Sequence, residues 1–127
     1  MGTAANASVC FILAPISLVL LLHSAMLVES TEHLVGDAKG WSTGVSNWPR
    51  DKLFLAGDVL VFKYNSKLHN VAKVNKYGFM ACEATNASAT YTSGEDYVTL
   101  KKGMNQFICG YPEYCKQGMK IKVFANP

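Results

Sequence analysis

The stretch Met104-Asn-Gln-Phe-Ile-Cys-Gly-Tyr-Pro-Glu-Tyr-Cys-Lys-Gln-Gly-Met-Lys-Ile-Lys-Val-Phe-Ala125 decides the fold of this 127-residue chain. Its second half, residues 119–125, alternates polar and apolar side chains, which predicts a β-strand with one face in a core. Its first half, residues 104–109, follows the turn residues Lys101-Lys102-Gly103 and predicts another strand. Pro112 predicts a turn between the two strands.

The same alternation continues upstream of this stretch. Strands are predicted over residues 58–64, 70–75 and 96–100, with shorter candidates at 32–36 and 52–55. Residues 76–78 are expected to form a closing turn, and residues 81–92 a short helix or a loop. Many short strands separated by turns indicate an antiparallel β-sandwich or barrel. Without repeats or linkers in the sequence, residues 31–127 are predicted to form one all-β domain.

The N-terminal segment predicts a secretory signal peptide over residues 1–30. Residues 9–22 are almost entirely apolar, and Val28-Glu29-Ser30 offers a compact cleavage region. No Lys or Arg precedes the apolar run, and Pro15 interrupts it, so an uncleaved membrane anchor is the alternative. The run is short for an anchor, and the C-terminal sequence shows no apolar tail for a lipid attachment. We therefore expect a secreted, extracellular protein without a stable membrane anchor.

The charge of the predicted mature chain is mildly positive. All 12 Lys and Arg residues, but only eight of the nine acidic residues, lie beyond residue 30. The basic residues are scattered, so the sequence offers no arm for binding nucleic acid. A mildly basic secreted domain favours acidic partners, such as a pectin-like polysaccharide or an acidic redox protein, although a solvated mixed surface is the simpler interpretation. We expect a monomer.

Cysteine usage and a glycosylation motif both suit an oxidising compartment. The mature chain keeps Cys82, Cys109 and Cys115, so one pair can form while one thiol stays reactive or bound. Cys109 and Cys115 are close enough in sequence to pair with each other, and the residues alone leave the pairing open. Asn86-Ala-Ser is an N-glycosylation acceptor, whereas the similar motif at Asn6 falls in the predicted signal peptide.

Three residues form a soft-ligand set if the fold brings them together: His69, Cys109 and Met119. Each alone has an ordinary explanation, as a surface histidine, a buried cysteine and a core methionine. Together they suit copper in a blue electron-transfer site, which uses two imidazoles, one thiolate and a weak axial methionine. A Cys-x4-His-x4-Met pattern would complete the site, but this chain has Tyr114 at the histidine position.

Several motifs together resemble the phytocyanins, and within them the plantacyanin branch. The similar segments are Val35-Gly-Asp37, Gly40-Trp41, Asn47-Trp48-Pro49, Phe54-Leu-Ala-Gly-Asp-Val-Leu-Val-Phe62, His69-Asn70-Val71, Tyr91-Thr-Ser-Gly94, Phe107-Ile-Cys109 and Gly118-Met119. The resemblance runs from about residue 33 to residue 125. It implies a cupredoxin-like Greek-key β-sandwich. It also implies a location in the apoplast or cell wall and one-electron transfer through a single mononuclear copper ion.

The resemblance also implies a role for each site residue. His69 and Cys109 become equatorial ligands, Met119 becomes the axial ligand, and Cys82–Cys115 becomes the disulfide. Asn70, beside His69, is expected to tie the two ligand segments together.

The chain departs from the family pattern at the centre of the site. Tyr114 stands in place of the second histidine, and Glu113 stands where a glycine is usual. A phenol is protonated at neutral pH, and its oxygen lies farther from the backbone than an imidazole nitrogen. Phenolate is also a hard donor that suits oxidised iron better than a blue copper site. We expect weak or lost Cu(II) binding, with His69, Cys109 and Met119 still suited to Cu(I); His33 could substitute only if the fold placed it at the same end.

Three functions compete on this evidence. The first is a one-electron carrier with an incomplete copper site, and the second is an extracellular binding or structural module without redox activity. The third, catalysis by Cys109 as a nucleophile with His69, is disfavoured because the sequence shows no oxyanion-hole motif. We therefore predict that the protein is not an enzyme.

Overall fold

The computed structural model describes residues 29–127, so nearly all of the predicted signal peptide lies outside the described residues. The strands are β1 (Glu32–Leu34), β2 (Val59–Lys63), β3 (Val71–Val74), β4 (Ala89–Tyr91), β5 (Glu95–Thr99), β6 (Gly103–Ile108) and β7 (Lys120–Ala125). The helices are α1 (Lys76–Ala81) and α2 (Pro112–Lys116), with 3-10 turns at Asp37–Lys39 and Val45–Asn47. No helix among these residues is long and apolar enough to cross a membrane.

The strands form two sheets, which confirms the predicted all-β sandwich. One sheet has the order β1-β2-β5, and the other has the order β4-β3-β6-β7. All pairs are antiparallel except β1 with β2, which run parallel, and here the antiparallel expectation was wrong. The long connection between β1 and β2, with its two 3-10 turns, lets the chain return to the same end as a parallel pair requires.

Apolar side chains from both sheets fill one main core. Strands β5 and β7 alternate exposed and buried residues, as expected of strands with one face in a core. Phe62 of β2 lies at the centre, with its ring centroid 5.0 Å from Trp41 and 5.2 Å from Phe107 of β6. Cys109 and Met119 belong to the same core and are fully buried. The two residues are therefore positioned by the packing of the whole sandwich.

Local structure differs from the sequence-based expectation in three places. Residues 52–55 form no strand; only Leu55 bridges to Asn126. Residues 76–78 begin α1 instead of closing a turn, because the side chain of Asn75 accepts a hydrogen bond from the amide of Gly78 and caps the helix. Residues 81–92 contain the end of α1, a loop and β4.

A smaller core on the outer face of the second sheet holds the disulfide. Cys82 at the end of α1 is bonded to Cys115 in α2, which confirms the pairing implied by the resemblance. The bridge packs with Ala72, Val74 and Ile108. Cys109 is buried and belongs to no disulfide in the described part of the chain. The disulfide therefore anchors α2, which lies between Cys109 and Met119.

Candidate metal centre

Strand pairing brings the three predicted ligands to one end of the second sheet. His69 lies just before β3, Cys109 directly follows β6, and Met119 directly precedes β7. In the register of the sheet, Ile108 pairs with both Ala72 of β3 and Lys120 of β7. The end of β6 at Ile108 therefore lies between the start of β3 and the start of β7, next to the three predicted ligands.

The separation between Cys109 and His69 suits two donors on one metal ion. The Cys109 Sγ atom lies 3.9 Å from His69 Nδ1, and the Cys109 amide donates to the Met119 carbonyl at 2.9 Å. Bonds of about 2.1 Å to nitrogen and 2.3 Å to sulfur place two donors about 3.5–3.9 Å apart on a tetrahedral or trigonal ion such as zinc. Cys109 and Met119 are buried, whereas His69 is only half-buried. The arrangement leaves the imidazole as the ligand closest to solvent.

Asn70 ties the two ligand segments together, as expected from the sequence. Its side-chain Oδ1 accepts a hydrogen bond of 2.6 Å from the amide of Gly110, and its carbonyl accepts one of 2.9 Å from the Trp41 indole. A Cβ atom on Gly110 would lie only 2.8 Å from Asn70 Oδ1, so this close approach requires glycine. The residues that follow His69 and Cys109 are thereby held in fixed positions.

Tyr114 lies beside His69 at the same end of the sandwich. The two rings meet edge to face with centroids 4.5 Å apart, and Tyr114 also packs against the main core. Its carbonyl accepts hydrogen bonds of 3.1 Å from the amides of Met119 and Gln117. The backbone of Tyr114 thus supports the Met119 segment independently of its side chain.

The loop between Cys109 and Met119 is held at both ends. Pro112 occupies the first turn of α2, where its missing N–H costs nothing, and Cys115 carries the disulfide. Gly118 has a φ of +86°, a conformation that favours glycine, and it closes the loop before Met119. Glu113 is exposed and lies within α2, and it is not among the described residues with a positive φ. Its helical backbone therefore does not itself require glycine at this position.

His33 lies away from this site. Its Nε2 atom is 2.9 Å from Asp58 Oδ2, and its ring packs on Phe54 with centroids 4.7 Å apart. Asp58 precedes β2, whereas His69 follows the other end of that strand. Burial alone would raise the pKa of Asp58, but hydrogen bonds from His33 and two backbone amides outweigh it and lower the pKa below its ordinary value. His33 is therefore engaged elsewhere and does not replace the second imidazole.

Within residues 29–127, no group of three or more His, Cys, Asp and Glu side chains could hold a metal ion. At the candidate centre the donors of this kind are His69 and Cys109, and a third donor must come from another residue type. The thioether of Met119 is the candidate for this donor, a soft and weak one. The donor set accordingly suits a soft metal ion and disfavours a hard one.

A partly buried hydrogen-bond network around Asp96 was missed at the sequence level. The Tyr64 hydroxyl donates to the carboxylate of Asp96, and Ser93 Oγ donates to Asp96 Oδ1 at 2.5 Å. Burial, together with the hydrogen bond to Asp96, raises the pKa of Tyr64 to about 12. Tyr64 follows β2 and Asp96 lies in β5, so only the register of these strands reveals the pair.

Comparisons with known proteins agree with this geometry. A family model described as a plastocyanin-like domain matches residues 40–119, a span that includes all three candidate ligands. The chain is 47% identical over 108 residues to the chemocyanin of Lilium longiflorum, covering 85% of this chain and 86% of that protein. It is 45% identical over 105 residues to a basic blue protein of Arabidopsis thaliana, covering 83% and 81% respectively.

Solved structures show the same similarity. The chain resembles the cucumber basic protein, a blue copper protein, with a TM-score of 0.72 and 45% sequence identity. The superposition covers 75% of this chain and 99% of that one. This similarity confirms the fold class predicted from the sequence.

Proposed function

Because the chain belongs to the plastocyanin-like domain family, within which it resembles the phytocyanins, we propose that it is a secreted copper-binding protein with an incomplete electron-transfer site. The proposed ligands are His69, Cys109 and Met119. The relatives are a basic blue protein and a blue copper protein, and these relatives motivate copper as the metal. Secretion is supported by the disulfide, which forms in oxidising compartments.

The observation that carries the proposal is the 3.9 Å separation between Cys109 Sγ and His69 Nδ1 at the buried end of three strands. Bound copper would supply one-electron exchange between Cu(I) and Cu(II). Cys109 would contribute a thiolate, His69 an imidazole nitrogen, and Met119 a weak thioether. The hydrogen bond from Gly110 to Asn70 would keep the donors in place and limit reorganisation when the charge of the site changes.

Tyr114 makes the proposed site incomplete. Its phenol would have to lose a proton before it could act as a donor, and the loss of one imidazole removes a ligand that Cu(II) prefers. The remaining imidazole, thiolate and thioether form a soft set suited to Cu(I). We therefore expect the protein to bind Cu(I) more tightly than Cu(II) and to show little colour with Cu(II).

A redox or cell-wall partner would approach at the half-buried imidazole. Leu68, directly before His69, is 51% exposed, and Tyr111, at the start of α2, is 46% exposed. Leu68 adjoins His69 in sequence. The Tyr111 carbonyl accepts a hydrogen bond from the amide of Tyr114, whose ring contacts His69. A partner that docks on Leu68 and Tyr111 would come within a short electron-transfer distance of His69.

A second candidate function is an extracellular binding or structural module. The packing of Tyr114 against His69 favours it, because this contact stabilises the imidazole without any metal. In this case the sandwich and disulfide would be retained, while the metal centre would have become part of the apolar core.

Metal titration of the purified protein separates the two functions. Cu(I) affinity is measured by competition with a chromogenic chelator, and Cu(II) binding by the visible thiolate-to-copper charge-transfer band. We expect the wild type to bind Cu(I) tightly and to show only a weak visible band with Cu(II). The Cu(I) binding should be lost in Cys109→Ala. Failure of the wild type to bind either ion would reject the copper site and support the binding module.

A further inference from the structure

The groove between α1 and the following loop contains the N-glycosylation motif and an exposed aromatic ring. Asn86 and Tyr77 both line this shallow groove, together with Gly78, Glu83 and Thr85. The side chain of Tyr77 is 68% exposed, more than the other exposed aromatic side chains of the described residues, such as Tyr97 and Phe124 at 55% each. The groove therefore contains both the glycosylation motif and an aromatic ring that the described chain leaves mostly uncovered.

The backbone presents Asn86 outward. The amide of Ala87 donates to the carbonyl of Ala84 at 3.0 Å, so Thr85 and Asn86 occupy the centre of a tight turn. Asn86 and Ser88 are both exposed, as an acceptor motif requires. The disulfide begins at Cys82, four residues before Asn86, and itself suits the compartment in which N-glycans are attached.

The floor of the groove is shaped by a glycine. A Cβ atom on Gly78 would lie 2.7 Å from the carbonyl oxygen of Glu83 and 2.9 Å from Val74 Cβ. The absence of a side chain at Gly78 lets the loop approach α1 and brings Asn86 to the same groove as Tyr77. A sugar attached at Asn86 therefore starts in the groove that Tyr77 lines.

We propose that Asn86 carries an N-linked glycan whose first N-acetylglucosamine packs its apolar C–H face on the ring of Tyr77. The sugar covers exposed aromatic surface in a groove that Glu83 and Thr85 also line. Burial of apolar area on both partners stabilises the contact. The proposal rests on the secretion proposed above but is independent of the copper site.

The glycan leaves the candidate metal centre open. Ala89 pairs with Lys73 and Tyr91 pairs with Val71, so the chain that enters β4 after Asn86 starts at the Val74 end of β3. His69 lies before the opposite end of that strand. The glycan and the candidate ligands thus occupy different ends of the sheet.

The test for modification uses the full chain, with its own leader, expressed in plant suspension cells. Intact-mass analysis of protein from the medium should show one N-glycan that is lost in both Asn86→Gln and Ser88→Ala. Protein in the medium with unmodified Asn86 would overturn the glycosylation proposal alone. A chain retained in the cytosol without glycan would overturn secretion as well.

The test for packing compares melting temperatures before and after enzymatic removal of the glycan. Deglycosylation should lower the Tm of the wild type by a few degrees, and by clearly less in Tyr77→Ala. Met80→Ala is the matched control, because Met80 is 69% exposed on the same helix but lies outside the groove. An equal loss of Tm in Tyr77→Ala and the wild type would overturn the stacking contact.

Discussion

The rings of His69 and Tyr114 meet edge to face, with centroids 4.5 Å apart and planes inclined by 81°. The position that the resemblance assigns to a second imidazole is therefore filled by an aromatic side chain in contact with the first. The carbonyl of Tyr114 meanwhile accepts the amide of Met119 at 3.1 Å. Because that support comes from the backbone, the side chain can be exchanged without removing it.

Replacing Tyr114 by histidine should complete the donor set. With His69, Cys109 and Met119 already positioned, Tyr114→His adds a second imidazole at the right end of the sandwich. We expect an intense visible band with Cu(II), and Cu(II) affinity higher by about tenfold, or about 1.4 kcal/mol. Absorption spectroscopy and chelator competition measure the two effects.

The matched control for this experiment is Tyr111→His, which places an imidazole on the same loop at an exposed position outside the core. It should leave the spectrum unchanged. An intensely coloured wild type would show that Tyr114 does not impair the site. Absence of colour in Tyr114→His would show that the site has diverged at more than one position.

Loss of the Asn70 side chain should loosen the candidate centre. Asn70→Ala removes the 2.6 Å hydrogen bond from Gly110 and leaves that amide without its partner. We expect a loss of about 1–3 kcal/mol in unfolding free energy and about a 10- to 100-fold loss in Cu(I) affinity. Urea denaturation and chelator competition provide the measurements.

Asn65→Ala is a suitable comparison for Asn70→Ala. Asn65 Oδ1 accepts only the local amide of Lys67 in an exposed turn of the same segment. Its replacement should change Cu(I) affinity very little. If both variants lost affinity equally, the effect would belong to the loop as a whole, and the specific role of Asn70 would be rejected.

Most strands were predictable, because β5 and β7 alternate exposed and buried residues and β2 and β3 are rich in buried apolar ones. Strand β4 was not predicted, because residues 81–92 were expected to form a short helix or a loop. Helices α1 and α2 were not predicted, because six and five residues are too short to show helical periodicity. The cap at Asn75 and the proline at position 112 were visible signals for their starts. Both helices depend mainly on the disulfide and on packing against the second sheet.

The candidate site was predictable only in part. Its residues were identified from their types, spacing and resemblance, but the pairing of Cys82 with Cys115 could not be decided from the residues alone. The contact between Tyr114 and His69 depends on the path of α2, which the sequence does not display. The pair Tyr64 and Asp96 spans 32 positions and depends on how β2 and β5 align, and residue patterns carry no such information.

Removal of the disulfide should destabilise the whole sandwich. Cys82 and Cys115 are separated by 33 positions, and closing a loop of this length contributes about 3–4 kcal/mol in the chain-entropy model. The double variant Cys82→Ala, Cys115→Ala should lose about this amount in urea denaturation. Non-reducing peptide mapping of the wild type should recover the Cys82–Cys115 peptide and an unpaired Cys109; a linked Cys109–Cys115 peptide would contradict the structure.

Removal of the Tyr64 hydroxyl should weaken the fold in a pH-dependent way. At neutral pH, Tyr64→Phe deprives the buried Asp96 carboxylate of a donor, and we expect a loss of about 1–3 kcal/mol in unfolding free energy. The pKa of Tyr64 is raised to about 12 from an ordinary value of 10.0, so the protonated phenol is favoured in the folded state. Its stabilising contribution is therefore complete below pH 10 and declines as the pH rises toward 12. Urea denaturation of the two proteins across this interval should show the difference in their unfolding free energies shrinking.

Tyr97→Phe, at an exposed position of β5, is the control and should match the wild type throughout. A difference between wild type and Tyr64→Phe that stayed constant from pH 8 to 12 would rule out the link between the phenol proton and folding.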